Sequence, residues 1–221
     1  MTEFRDRADA GHRLAKALAK YKGRHAVVLA LPRGGVPVAA EVAKMLDAPL
    51  DLILVRKIGV PFQPELAMGA VVDGLAPIVV RNEEVLRVSE TTAREFDEVC
   101  EKERAEIERR RKLYIGDRPR AEITGRVVIV VDDGIATGTT TRAALQAIRK
   151  QKPKELVLAV PVAPRDTVAE LRGEVDALIC LETPEPFLAI GYFYRDFEQV
   201  SDEEVVAILR RFPIKGTTPI T

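Results

Sequence analysis

Val127-Val128-Ile129-Val130-Val131 is a run of five β-branched residues with no polar break. Such residues favour extended backbone, and successive side chains along a strand point to opposite faces. A strand of this composition is therefore buried on both sides, which is the habit of parallel sheets covered by helices above and below. Ala26–Leu31, Leu50–Val55, Leu156–Val160 and Ala177–Leu181 read as further strands of the same kind. Between them lie the helical stretches Val36–Leu46, Thr140–Lys150 and one ending near Arg172. Phe4, Ala8, Gly11, Leu14, Leu18 and Tyr21 recur at helical spacing, with Gly23 placed to stop that helix. Ser201 and Glu204 form a capping-box pattern ahead of Val205, Val206 and Leu209. Ala67–Val72 and Ile78–Val80 read as strands joined through Asp73-Gly74, a hairpin-type turn pair. Strands alternating with helices predict an α/β fold with a mostly parallel, doubly wound sheet and flanking helices.

One segment breaks this rhythm. Arg94–Lys112 is mostly charged, with Phe96, Val99, Cys100 and Ile107 as a thin apolar stripe. Glu98/Lys102, Glu106/Arg110 and Glu108/Lys112 are favourable i,i+4 pairs. A solvated helix packed by one edge is expected, with a partner or homodimer contact as the alternative.

Composition narrows the function classes. Lys plus Arg and Asp plus Glu number 34 each, so the basic excess typical of nucleic-acid binding is absent. The two cysteines, Cys100 and Cys180, form no Cys-x-x-Cys pair, and His12 and His25 are the only histidines. Neither a zinc site nor a Ser-His-Asp or Cys-His catalytic set is expected. The N-terminus has no apolar signal region, and no apolar run approaches the roughly 20 residues that span a bilayer. A cytoplasmic protein with no membrane partner is expected.

The chemistry concentrates just after Val131, in Asp132-Asp133-Gly134-Ile135-Ala136-Thr137-Gly138-Thr139-Thr140. Ligands of parallel sheets gather beyond the carboxyl ends of strands. Gly134 and Gly138 allow close backbone approach, the threonines supply hydroxyls, and the following helix offers unpaired N–H groups and a positive dipole end. This is a cradle for a phosphate. Two carboxylates would repel a bare phosphate but would accept hydrogen bonds from a sugar diol. Together they describe ribose 5-phosphate. A Walker B reading needs a G-x-x-x-x-G-K-[ST] loop, and neither that nor G-x-G-x-x-G occurs in the chain.

Val128–Thr140 resembles the phosphoribosyl pyrophosphate (PRPP) signature of the type I phosphoribosyltransferases, and the wider resemblance covers roughly residues 25 to 200. The resemblance implies the type I phosphoribosyltransferase fold. It implies that Asp132 and Asp133 hold the ribose hydroxyls and that Ala136, Thr137, Gly138, Thr139 and Thr140 hold the 5-phosphate. Leu31-Pro32-Arg33-Gly34-Gly35 is similar to the family's pyrophosphate loop, with Arg33, Gly34 and Gly35 as ligands and a non-proline cis peptide expected near Arg33-Gly34. Arg56 and Lys57 are placed at the end of the second strand. There they would meet pyrophosphate, Lys57 in a catalytic role beside Asp132 and Asp133, before a mobile loop over Ile58–Glu65. Phe187, Leu188 and Tyr192 resemble the base-binding hood of the purine-salvage branch. Ala136 departs from the hypoxanthine-guanine branch, where an Asp handles the purine ring proton, and leaves the acceptor open.

The expected layout is a single domain over 1–221. Its core spans about 25–182, the inserted charged helix about 92–113, the hood about 183–200 and the C-terminal helix about 201–211. The resemblance implies Mg²⁺-dependent transfer of the phosphoribosyl group from PRPP to a nitrogenous base, with pyrophosphate released. Mg²⁺ would be carried by PRPP near Asp132 and Asp133, with no direct protein ligand. The alternative is a PRPP- or nucleotide-binding regulatory protein with little turnover.

Overall fold

The structure is a computed structural model that describes residues 3–74 and 77–214. The apolar runs fall where two-faced burial requires. Val27–Ala30 (β1), Leu50–Leu52 (β2), Val127–Val131 (β6), Glu155–Val162 (β7) and Ala177–Glu182 (β8) form one five-stranded sheet. Its order is β2-β1-β6-β7-β8, and every pairing in it is parallel. All five residues of β6 are buried. The even members Val128 and Val130 join one core with Leu145 and Ile148, and the odd members Val127, Ile129 and Val131 join another with Leu14, Val38 and Val42. The two cores are the two faces of the sheet. Gly35–Leu46 (α2), packed on Arg7–Ala17 (α1), covers one face, and Thr139–Lys150 (α5) covers the other.

The expected strand Leu50–Val55 is corrected by its pairing. β1 ends at Ala30, opposite Leu52, so the next residues have no neighbour left in the parallel sheet. The chain turns away, and Val55 pairs with Val72 instead. Val55–Val60 (β3), Gln63–Val72 (β4) and Ile78–Arg81 (β5) make a separate antiparallel sheet in the order β3-β4-β5. The expected loop over Ile58–Glu65 is therefore a hairpin. Its register shifts around Gly59, where a Cβ would sit 2.4 Å from the Pro64 carbonyl oxygen, so only glycine fits. The turn after Asp73-Gly74 includes Leu75 and Ala76, which lie outside the described residues.

The charged segment is a helix, Ala93–Tyr114 (α4), opened by a reciprocal capping box between Thr92 and Glu95. Its apolar stripe packs on β3, with Phe96, Cys100 and Ile107 buried beside Ile58 and Val60. The small sheet is thus held between α4 and α5. The Glu106–Arg110 pair forms at 2.7 Å, while Glu98 pairs with Arg94. A short helix, Glu83–Val88 (α3), has no counterpart in the sequence reading. Arg165–Leu171 (α6) and Asp202–Arg210 (α7) complete the set, with Ser201 capping α7 as expected. At the start of the chain, Asp6 caps α1, so Phe4 lies outside that helix and bridges to Tyr194. Both cysteines are free.

Asp51 on β2 is 3% exposed. Burial pushes its carboxyl upward against the backbone N–H of Ala121 and the charge of Arg118, whose guanidinium lies 3.2 Å away. Removing one partner strands the other charge in the interior. Arg118→Ala is expected to cost about 3–5 kcal/mol in urea unfolding. Arg104→Ala, which breaks the exposed Arg104–Glu101 pair, is expected to cost less than about 1 kcal/mol.

Candidate active site

β6 delivers Asp132 and Asp133 to the carboxyl edge of the parallel sheet, beside the loop that leaves β1. The two loops touch. A Cβ on Gly35 would sit 2.8 Å from the Val131 carbonyl oxygen, and one on Gly34 would sit 2.1 Å from Asp133 Oδ2. Any side chain at either position would push the loops apart. The non-proline cis peptide of this loop is at Pro32-Arg33, one bond earlier than expected.

The carboxylates differ in surroundings. Asp133 is 8% exposed, and its Oδ2 accepts a hydrogen bond from Arg7 Nε at 2.8 Å. Arg7 also stacks over the Phe197 ring at 3.9 Å, and Tyr194 donates to the Asp133 carbonyl oxygen at 2.6 Å. Asp132 is partly exposed. Burial first, and then the neighbouring Asp133 charge, raise its carboxyl well above the ordinary carboxylate range.

Beyond the carboxylates, Ala136 and Thr137 are exposed and Gly138 opens α5 with φ +72°. No side chain caps this helix, so its first N–H groups have no partner within the helix, and Thr139 and Thr140 stand exposed beside them. The loop is anchored from behind. Thr167 donates to the Ala136 carbonyl oxygen at 2.8 Å, and Ile135 N–H donates to Val162 at 3.0 Å.

Asp132 and Thr140 line a pocket of about 180 Å³ together with Leu31, Pro32, Arg56 and Arg110. Four elements distant in sequence meet there. The phosphoribosyl transferase domain model matches residues 2–191 of this chain. The chain belongs to the phosphoribosyl transferase domain family. Two Mycobacterium tuberculosis proteins, from strains CDC 1551 and H37Rv, are provisionally named phosphoribosyl transferases. Each is 51% identical over 211 residues, covering 96% of this chain but only 47% of its own length. The crystal structure of TT1426 from Thermus thermophilus is 41% identical, with a TM-score of 0.84. That match covers 96% of this chain and 99% of TT1426.

Within this phosphoribosyl transferase domain, the pocket gathers Asp132, Thr140 and Arg56 and leaves other expected residues elsewhere. Lys57, next to Arg56 on β3, points to the opposite face by strand alternation. Its Nζ is 3.1 Å from Glu65 across the hairpin. Arg33 reaches toward Asp202 at 3.4 Å. Phe187 stacks on Phe193 with centroids 5.4 Å apart, whereas Leu188 and Tyr192 are 70% and 71% exposed. Arg7, Arg110 and Tyr194 were not expected. Each reaches the site from a remote element, and of the three only Tyr194 stands in a stretch the sequence marks out, the hood of about 183–200.

The raised carboxyl carries a sign. A group protonated more readily when folded than when unfolded makes stability fall as pH rises from the ordinary carboxylate range toward its raised value. Asp132→Asn removes that liability. The variant is expected to unfold at a higher temperature at neutral pH, with a flatter decline between acid and neutral pH. An unchanged pH profile in calorimetry would show that Asp132 is not strained.

Proposed function

We propose that this domain transfers the 5-phosphoribosyl group of PRPP to a nitrogen nucleophile and releases pyrophosphate. The observation that carries the reading is the single pocket in which Asp132, Thr140, Pro32 and Arg56 meet beside the uncapped start of α5. The 5-phosphate fits the loop from Ala136 to Thr140, where helix N–H groups and threonine hydroxyls converge. A ribose hydroxyl would donate to Asp132. Asp133, neutralised by Arg7, would hold the loop's shape and accept the second hydroxyl only if the ligand reaches past that pair. Pyrophosphate fits the side of Arg56 and the Gly34 amide, with Arg33 joining if ligand draws it from Asp202; the Gly35 N–H is already given to the Leu31 carbonyl oxygen at 3.1 Å, and Lys57 lies on the other face of β3.

In the reaction, the bond from the anomeric carbon to the pyrophosphate oxygen breaks and pyrophosphate keeps the electron pair. The nucleophile's nitrogen forms the new bond to that carbon and loses a proton. Charge stabilisation and positioning would supply the acceleration, without a protein nucleophile. Among the described residues no cluster of three or more His, Cys, Asp or Glu is placed to hold a metal. That arrangement suits Mg²⁺ that takes its ligands from substrate phosphates and water, with Asp132 nearby and not a direct ligand. Bound there, Mg²⁺ would neutralise charge developing on the departing pyrophosphate. For the acceptor, Phe187, Leu188 and Tyr192 offer an apolar surface at the hood, with Leu188 and Tyr192 free to cover a flat ring.

Incubation with PRPP, Mg²⁺ and a panel of nitrogenous bases is expected to release pyrophosphate in a base-dependent way. Asp132→Asn is expected to lower that rate by about a hundredfold or more, the loss typical of a group acting in the transition state. Saturable PRPP binding with no release from any base would favour a PRPP-binding regulatory protein instead. No PRPP binding at all would remove both.

A further inference from the structure

We infer that Arg110, on the inserted helix α4, is a substrate-binding residue on the pyrophosphate side of the pocket. The inference rests on the proposed PRPP reading and extends it to a helix that the signature loop does not include. Arg110 and Ile107 line the same pocket as Asp132, Arg56 and Thr140. Ile107 is 1% exposed, so α4 is seated on the site rather than hung beside it.

The orientation of the two arginines points to a shared ligand. Arg56 Nε donates to Glu103 Oε2 at 2.6 Å, and Arg110 Nε donates to Glu106 Oε1 at 2.7 Å. Both acceptors belong to α4. Among the described residues, the terminal nitrogens of both guanidiniums make no hydrogen bond. Each fork is thus gripped at its inner nitrogen, with its outer donors left over at the pocket. A guanidinium fork with free outer donors matches the geometry of phosphate oxygens. Two of them at one pocket make it suited to an anion.

The same helix face continues to the third cation. Tyr114 donates to Asp202 Oδ1 at 2.5 Å, and Arg33 approaches the same oxygen at 3.4 Å. Burial and the hydrogen bond to Asp202 push the Tyr114 hydroxyl up to about 12. Positions 103, 107, 110 and 114 fall on one stripe of a helix. Along that stripe α4 presents a counter-ion for Arg56, a wall, a cation and a clamp for the residue that holds Arg33.

Arg109 supplies the control. It bonds to the same Glu106, at 2.8 Å, but is mostly exposed and does not line the pocket. Binding of PRPP, inorganic pyrophosphate and ribose 5-phosphate would be measured by calorimetry with Mg²⁺, on the full chain carrying Arg110→Ala, Arg110→Lys or Arg109→Ala. Arg110→Ala is expected to weaken PRPP and pyrophosphate on the order of ten- to a hundredfold, the value of charge-assisted hydrogen bonds. It should leave ribose 5-phosphate nearly unchanged, with Arg110→Lys intermediate and Arg109→Ala like wild type. If wild type binds PRPP and Arg110→Ala binds it equally, the inference fails and the functional reading stands. Equal loss of all three ligands, or equal effects of Arg109→Ala and Arg110→Ala, would mark a structural role and also overturn it. If wild type binds none of the three, the functional reading itself falls.

Discussion

Two adjacent carboxylates end a strand that is buried along its whole length, and much of the surrounding structure makes that arrangement tolerable. Desolvation penalises each charge, and each charge raises the cost of the other. The chain answers with Arg7, brought from the far end of the sequence to within 2.8 Å of Asp133. Phe197 and Tyr194 then hold Arg7 and the Asp133 backbone in place. This explains why the N-terminal segment bridges to the hood at Phe4 and Tyr194: the bridge fixes the start of the helix that carries Arg7. The division of labour follows. Asp133 is satisfied inside the protein, and Asp132 is left partly exposed and under-compensated at the pocket. A group kept short of partners in the free protein has the most to gain from a ligand that brings donors.

The glycines of the β1 loop answer the same constraint by geometry. Gly34 and Gly35 let the loop lie directly against Asp133 and the end of β6. Sequence reasoning reached this contact from the ligand side, because Gly-Gly after a buried strand suggests amides offered to an anion. The packing supplies a second reason. Any Cβ at Gly35 would collide with backbone, and backbone has nowhere to retreat in the middle of a parallel sheet.

What was legible in the sequence followed from local periodicity. β6, the loop after it and α5 could be read within a residue or so, because two-faced burial, glycine freedom and a helix start are all properties of neighbouring residues. The parity of Arg56 and Lys57 was not legible. It depends on which face of β3 meets α4, and that in turn depends on the chain leaving the parallel sheet after Leu52, where β1 has run out of partners. A strand assigned to the wrong sheet gives the right residues without telling which member faces the pocket. The hood aromatics were ambiguous for a related reason: ring packing inside a lobe and ring stacking on a base use the same residues, and Phe187 is committed to Phe193.

Helix α4 shows how a surface that looks merely solvated can be organised. Isolated i,i+4 pairs on an exposed helix contribute a few tenths of a kcal/mol, too little to account for its placement. Its seat depends on Phe96, Cys100 and Ile107 against the small sheet. Once that stripe is buried, the helix has no rotational freedom left: Arg110 comes to the pocket, with Glu103 and Glu106 fixed against Arg56 and Arg110 and Tyr114 against Asp202. Apolar packing therefore sets where the charges stand, and the charges in turn set which way Arg56 and Arg110 point. The small antiparallel sheet is the link between the two, since it carries Arg56 on the face that α4 covers and is backed on its other face by α5, the helix that begins just after Gly138.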